Sequence, residues 1–294
     1  MNRVLVFKKI AKYFAKLGLG RSKTMVNIYE ETFSRINSGI REEYVEIDGQ
    51  KVFLDKEDSL LLSTRKDNYD KFEINYLKQI IKEGDIIIDL GANIGYYTLI
   101  FAKLVGDLGH VYAFEPEPSN FELLSKNIKE NNHSNVTLIQ KAVSNKNSKI
   151  KLYVSKRNLA SHRIFDSDEK RNSVEVDVIT LDEYFKKFEK PIKFIKIDVE
   201  GAEGAVLLGT SKIIEKSENL TIMMEYFPKW IKKFGDEPKE ILKSLLQKDF
   251  KLYNLNQKNN RLDTIQIEKF VSEYNEEKKN YTNILCVKNK TISS

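Results

Sequence analysis

Three carboxylates stand where strands should end. They are Asp89 in Ile86-Ile-Ile-Asp89-Leu, Glu115 after Val111-Tyr-Ala-Phe114, and Asp198 after Phe194-Ile-Lys-Ile197. Ligands in open α/β sheets bind outside the carboxyl ends of strands, so all three should meet on one rim. Like charges gathered there raise one another's pKa unless a cation or hydrogen-bond donors compensate. A cationic cofactor is one such compensation and a divalent metal is another. Asp89 leads into Leu-Gly91-Ala92-Asn93-Ile-Gly95, a glycine turn that opens a helix, where a ligand can lie against bare backbone. Glu115, with Pro116 behind it, follows Gly95 by twenty residues and can accept hydrogen bonds from a ribose.

The spacing narrows the nucleoside. A dinucleotide fingerprint needs glycines at G-x-G-x-x-G, but counted from Gly91 those positions hold Gly91, Asn93 and Tyr96. No G-x-x-x-x-G-K-[ST] phosphate loop occurs. The pattern Asp-x-Gly-x-x-x-Gly suits a small zwitterionic nucleoside such as S-adenosylmethionine, with Asp89 facing the ammonium and Glu115 the ribose hydroxyls.

Further carboxylates follow Asp198 in Val199-Glu200-Gly201-Ala-Glu203. Glu203 reads as a helix-start residue favoured by the dipole. Asp198 and Glu200 read as site residues, and Glu225, ending the next strand in Met223-Met-Glu-Tyr226, shares their rim. His162 is a loop histidine with little to mark it as a base. One cysteine and three scattered histidines supply no zinc constellation, and spacing gives an oxygen-only magnesium site no support, so no metal is expected. A serine hydrolase would need G-x-S-x-G, which is absent.

The elements that must position these groups alternate. Helices are expected at 70–82, 95–104, 117–131, 181–188, 202–216 and 237–248. Core strands are expected at 85–90, 111–114, 136–139, 194–197, 220–224, 251–255 and 283–287. Such alternation implies a mostly parallel sheet, with the last strand pair putting one strand antiparallel. Two β-rich runs, 150–154 and 174–179, interrupt it as an insertion after Ala142-Val143. The stretch 257–279 reads as a solvated loop and helix. Ahead of the sheet lies a hairpin around Asp48-Gly49. A basic amphipathic helix over the first residues (Phe7, Ile10, Phe14 and Leu17 among lysines) offers a face for the domain, a second subunit or, weakly, an anionic membrane. The domain reading is a helix and hairpin extension over 1–80 and a catalytic domain over 81–294.

Composition bounds the rest. The 294 residues, 41% hydrophobic and 31% charged, describe a globular protein. With 49 basic against 43 acidic residues, wholesale nucleic-acid binding is not expected. No apolar run reaches a membrane span of about 20 residues. The single Cys286 fits a reducing, cytoplasmic setting, and its apolar surroundings make it a core filler.

Taken in order, Gly84-Asp85-Ile-Ile-Ile-Asp89-Leu-Gly91-Ala-Asn93-Ile-Gly95-Tyr96-Tyr97-Thr98, Phe114-Glu115-Pro116-Glu-Pro118-Ser-Asn120, Leu181-Asp182 and Phe194-Ile-Lys196-Ile-Asp198-Val-Glu200-Gly201-Ala-Glu203 resemble the FkbM-type family of S-adenosylmethionine-dependent methyltransferases. The resemblance runs from about Asp70 to Val287. It implies an α/β class I methyltransferase (Rossmann-like) fold with seven strands in the order 3-2-1-4-5-7-6. It implies cofactor contacts at Asp89, Gly91, Ala92, Asn93, Gly95, Glu115, Pro116 and Asp198, with Asn120 after the ribose-binding strand and Ala142 beside the adenine. It implies methyl transfer, most often to a hydroxyl of a sugar, glycan or secondary metabolite, with Asp198, Glu200 and Glu225 as catalytic candidates. The alternatives are an N-methyltransferase of the same fold or a catalytically silent nucleoside-binding scaffold.

Overall fold

The structure, a computed structural model, describes residues 44–54, 71–154, 172–278 and 280–289. The N-terminal amphipathic helix and His162 lie outside the described residues. The chain first forms a hairpin of β1 (Tyr44–Ile47) and β2 (Gln50–Phe53). Asp48 and Gly49 both have positive φ, the geometry a two-residue hairpin turn demands. α1 (Lys71–Ile80) leads to β3 (Ile86–Leu90), which is buried along its whole length. α2 (Tyr96–Val105), β4 (His110–Phe114), α3 (Pro118–Glu130) and β5 (Val136–Ile139) follow. The insertion is a small sheet in which β8 (Asn172–Ile179) pairs with both β6 (Ala142–Val143) and β7 (Ser148–Val154).

Alternation resumes with α4 (Leu181–Tyr184), β9 (Ile192–Ile197), α5 (Glu203–Leu208), α6 (Ser211–Lys216) and β10 (Thr221–Tyr226). The chain then adds α7 (Pro228–Phe234), α8 (Pro238–Gln247), β11 (Phe250–Asn256), β12 (Arg261–Thr264), α9 (Ile267–Glu273) and β13 (Thr282–Lys288). The central sheet runs β12-β11-β13-β10-β9-β3-β4-β5. From β5 to β10 every pairing is parallel, and β13 is antiparallel to both β10 and β11. Read from β5, the order is the expected 3-2-1-4-5-7-6, with β12 as an eighth, edge strand.

The elements differ from the sequence reading in four places, each with a local cause. The helix expected at 202–216 breaks in two. A Cβ on Gly209 would stand 2.0 Å from the Ser144 carbonyl oxygen, so the chain there abuts the insertion. Asp182 then caps the new helix, accepting from the Lys212 and Ile213 amides at 3.0 and 3.1 Å. The helix at 181–188 is shorter, because Lys186 and Phe188 already bond back three residues instead of four. α7 was not expected; Pro228 starts it, where a proline loses no helical bond. β12 is polar and half-exposed, so it shows no apolar alternation, and in the same stretch Phe270 of α9 is buried.

Two helix side chains take the place of a strand beside β2. Asn127 accepts from the Phe53 amide at 2.6 Å and donates to the Phe53 carbonyl at 3.1 Å. One turn on, Asn131 does the same for Lys51, at 2.9 and 2.7 Å. Asn127 also donates to the Ile94 carbonyl at 2.6 Å, tying the hairpin to the glycine turn. Val45 and Val52 join Ala92, Ile94, Leu99 and Leu124 in one apolar cluster under that turn.

The turn itself is set by the neighbouring strand. Gly91 has φ +72°, and a Cβ there would lie 1.9 Å from the Asp198 carbonyl oxygen. Gly91→Ala should therefore cost about 3 kcal/mol or more in denaturant unfolding. Gly235→Ala has positive φ but nothing within 4 Å, so it should cost only about 1 kcal/mol of backbone strain. Equal costs would show that the approach to Asp198 is not the constraint.

Candidate active site

The site grows from the sheet register. On one face, successive rows run across β3, β9, β10 and β13. One row runs Ile87, Phe194, Thr221 and Val287, and Ile87, Phe194 and Val287 belong to the core against α1 and α2. Toward the carboxyl ends of β3 and β9, Asp89 lies opposite Lys196. Glu225 lies opposite Asn283 across β10 and β13. Parallel pairing matches Met224 with Ile197, so Asp198 and Glu225 are the next neighbours on that face. The turn from β3 brings Gly91 against Asp198.

Lys196 is the cation among these acids and is 5% exposed. Its Nζ donates to Asp198 Oδ2 at 3.2 Å, lies 3.7 Å from Asp89 Oδ1, and sits 5.2 Å from the Tyr97 ring centroid. Burial alone would lower its pKa; Asp198, Asp89 and Glu225 outweigh that and raise it. Lys196 is therefore charged. The sequence reading leaves Lys196 without a role, although a lone charge within Phe194-Ile-Lys-Ile197 is the available signal of a buried partner.

Asp89 is fully buried. The Thr98 hydroxyl donates to its Oδ2 at 2.6 Å, while Oδ1 has no hydrogen-bond donor. Burial raises the Asp89 pKa, opposed by Lys196 and Thr98. Burial also raises Glu225 well above the carboxylate range, with Asp198, Glu200 and Glu203 adding to the rise and Lys196 opposing it. On the α1 side, Glu73 closes the row, accepting from Asn283 Nδ2 at 2.9 Å, Gln257 Nε2 at 2.7 Å and the Tyr97 hydroxyl at 2.9 Å.

Glu115 ends β4 one strand away. Its Oε2 accepts from the Asn93 amide at 2.8 Å and its Oε1 from the Glu117 amide at 2.9 Å. Burial raises its pKa to about 7, against the Glu117 and Asn93 amides and the Asn120 side chain, which lower it. Asn93 has φ +52°, a value Asn tolerates better than most residues. Glu117 caps α3 by accepting from the Asn120 amide at 2.7 Å. The Gly91 and Ala92 amides both donate to the Phe114 carbonyl at 3.0 Å, and Gly95 starts α2. Asp89, Gly91, Ala92, Asn93, Gly95, Glu115 and Asn120 thus meet around one turn, with Pro116 part-exposed beside Glu115. Ala142 stands in β6, just past the end of β5 at Ile139, packed with Val176 and Val178 of the small sheet.

The loop after β9 is shaped by its own carboxylates. Glu200 has φ +54° and Gly201 φ +109°. Glu203 is buried, and its Oε1 accepts from the Gly201 amide at 3.1 Å and the Val199 amide at 3.3 Å. Its pKa rises to about 7, chiefly by burial. Glu203 therefore fixes the loop that carries Asp198 and Glu200.

A cofactor with a cationic end and a ribose fits this donor set. Asp89 Oδ1 has the Lys196 ammonium 3.7 Å away but no donor within hydrogen-bond distance, which leaves it able to accept from a second ammonium. Each Glu115 oxygen accepts one backbone bond from the described residues, and a carboxylate oxygen can accept two. No group of three or more His, Cys, Asp or Glu side chains arranged for a metal occurs among the described residues.

Comparison with known proteins places the chain. Residues 89–252 match the model of the methyltransferase FkbM domain. Hexuronic acid methyltransferase AglP of Haloferax volcanii is 28% identical over 174 residues, covering 58% of this chain and 66% of that protein. Methyltransferase 1 of Beauveria bassiana is 26% identical over 147 residues, 43% of this chain and 59% of that one. A protein-L-isoaspartate O-methyltransferase of Methanothrix thermoacetophila is 34% identical over 59 residues, 20% and 28% of the two chains. This chain thus matches less than two thirds of each of these relatives' own length. Among solved structures, an FkbM methyltransferase from Methylobacillus flagellatus aligns with TM-score 0.43 at 13% identity over 72% of this chain and 50% of that one. With more than half of the chain matched by the domain model, the chain belongs to the FkbM family of S-adenosylmethionine-dependent methyltransferases.

Proposed function

We propose that the protein transfers a methyl group from S-adenosylmethionine to a hydroxyl of a sugar or glycan. The observation that carries this reading is the neighbouring pair Asp198 and Glu225, standing beyond the orphaned Asp89 oxygen. The name of the Haloferax relative, a hexuronic acid methyltransferase, supports a sugar acceptor. Bound S-adenosylmethionine supplies a methyl group already activated by its sulfonium.

The residues divide the remaining work. Asp89 receives the ammonium and Glu115 the ribose hydroxyls. Asp198, paired with Lys196, orients the methionine end. A hydroxyl acceptor must lose its proton as it attacks, and a carboxylate within hydrogen-bond reach serves as base. We assign this to Glu225, which stands at the carboxyl end of β10 beside Asp198 and whose pKa is raised by burial first and then by the carboxylates of Asp198 and Glu200.

Glu225→Gln should keep S-adenosylmethionine affinity within a few-fold and lose at least about 100-fold in single-turnover rate on a confirmed acceptor. Loss of that rate in Glu200→Gln, with Glu225→Gln active, would move the base to the loop.

Glu115 gives a second test through pH. Its folded pKa of about 7 exceeds the ordinary 4.5, so folding favours the protonated form. Its contribution to stability is therefore greatest below about pH 4.5 and is lost as pH rises toward about 7. That loss amounts to about 3 kcal/mol for the ligand-free protein. Glu203 titrates in the same window, so the comparison is between wild type and Glu115→Gln. The variant's stability should fall less steeply with pH, by about that amount, in denaturant melts. Affinity for S-adenosylmethionine, measured by calorimetry, should weaken below about pH 7 in the wild type only. Matching pH profiles would remove Glu115 from the ribose.

A further inference from the structure

Past the charged row, the same face of the sheet carries rings. Phe227 follows Glu225 by two residues, and Tyr281 precedes Asn283 by two. Side chains two residues apart in extended chain share a face, so both continue the Glu225–Asn283 row toward the rim. Their rings stand 5.4 Å apart. Trp230 packs on the other partner, Phe227, also at 5.4 Å. The Trp230 backbone lies against the loop that bears Glu200, since a Cβ on Gly201 would come within 2.7 Å of the Trp230 carbonyl oxygen. Tyr281 ends the row 58% exposed, with the Phe227 ring behind it.

Charge changes sign along this row. Lys229 and Lys233 hold their ammonium groups 4.5 and 5.4 Å from the Trp230 ring centroid. Neither has a carboxylate within ion-pair distance among the described residues, whereas Lys232 beside them is engaged by Glu237 and Glu276. Two cations without an anion therefore stand at the edge of a site otherwise lined by Asp89, Asp198, Glu200 and Glu225. They sit on α7, which follows the end of β10 within two residues of Tyr226. An acceptor placed here meets rings for an apolar ring face, lysines for an anion, and Glu225 for a hydroxyl proton.

We propose that Phe227, Trp230 and Tyr281, with Lys229 and Lys233, form the acceptor subsite, and that it takes an anionic sugar bearing a carboxylate or phosphate. The ring face of the sugar packs on Tyr281 and Phe227, its anion pairs with Lys229 and Lys233, and the hydroxyl to be methylated points at Glu225. This rests on the reading of the protein as a sugar methyltransferase. The pairing also explains selectivity by repulsion: without the lysines, an acidic sugar would meet only carboxylates.

Trp230 is the one tryptophan of the chain, so its fluorescence reports on this subsite directly. The full chain is titrated with D-glucuronate, glucose 6-phosphate and glucose, with S-adenosylmethionine binding followed separately by calorimetry. A saturable change in Trp230 emission is expected with at least one acidic sugar, with glucose at least about tenfold weaker. Comparing the two acids distinguishes carboxylate from phosphate. The double variant Lys229→Gln/Lys233→Gln should lose at least about tenfold in that affinity while binding S-adenosylmethionine as before. Tyr281→Ala should weaken both acidic and neutral sugars, which a purely electrostatic surface effect would not do. No response to either acid, an equal response to glucose, or an acid response indifferent to the double lysine variant would each overturn the subsite. If S-adenosylmethionine itself does not bind, the methyltransferase reading falls instead, so the two failures are told apart.

Discussion

One buried ammonium makes the rest of the site affordable. Lys196 lies between buried Asp89 and part-exposed Asp198, with Glu225 close by. Removing one partner from such a set typically costs about 3–5 kcal/mol, because it strands a buried charge. The carboxylates nonetheless outnumber the cation, so the cluster is short of positive charge. That deficit gives the strand ends an appetite for a cationic ligand. The same deficit adds to the burial that keeps Glu225 raised.

The surrounding architecture holds this cluster in register. Parallel pairing of β3, β9 and β10 aligns Asp89, Lys196 and Glu225 on one face, where Thr98 and Tyr97 of α2 pack against Asp89 and Lys196. Gly91 lets β3 and the Asp198 backbone come together where any side chain would hold them apart. Glu203 and Asp182 do quieter work, one bonding the loop after β9 and the other capping α6. Cys286 is fully buried in β13, where burial pushes its thiol up and leaves it a packing atom.

Most of the sheet could be read from residue order, since buried parallel strands appear as short apolar runs between helical periodicities. Ile86-Ile-Ile and Phe194-Ile announce themselves in this way, and the glycine turn with Glu115 announces a nucleoside. What escaped was polar or tertiary. β12 has no apolar face to alternate. The break at Gly209 depends on Ser144, which is far away in sequence. Asn127 and Asn131 look like ordinary helix-surface amides until a hairpin arrives beside them. The partners of Lys196 are fixed by strand register, and register between strands a hundred residues apart has no local signature. The charged row was thus visible as separate carboxylates, while the cation that joins them was not.

The helix amides beside β2 have a consequence for association. A strand with a bare outer edge offers its N–H and C=O groups to any passing chain, and sheets extend themselves across molecules in this way. On β2, both groups of Lys51 and of Phe53 are already occupied by Asn131 and Asn127. The hairpin therefore has an edge in geometry but not in chemistry on that side. A two-stranded ribbon that would otherwise invite polymerisation is closed by two side chains one helical turn apart.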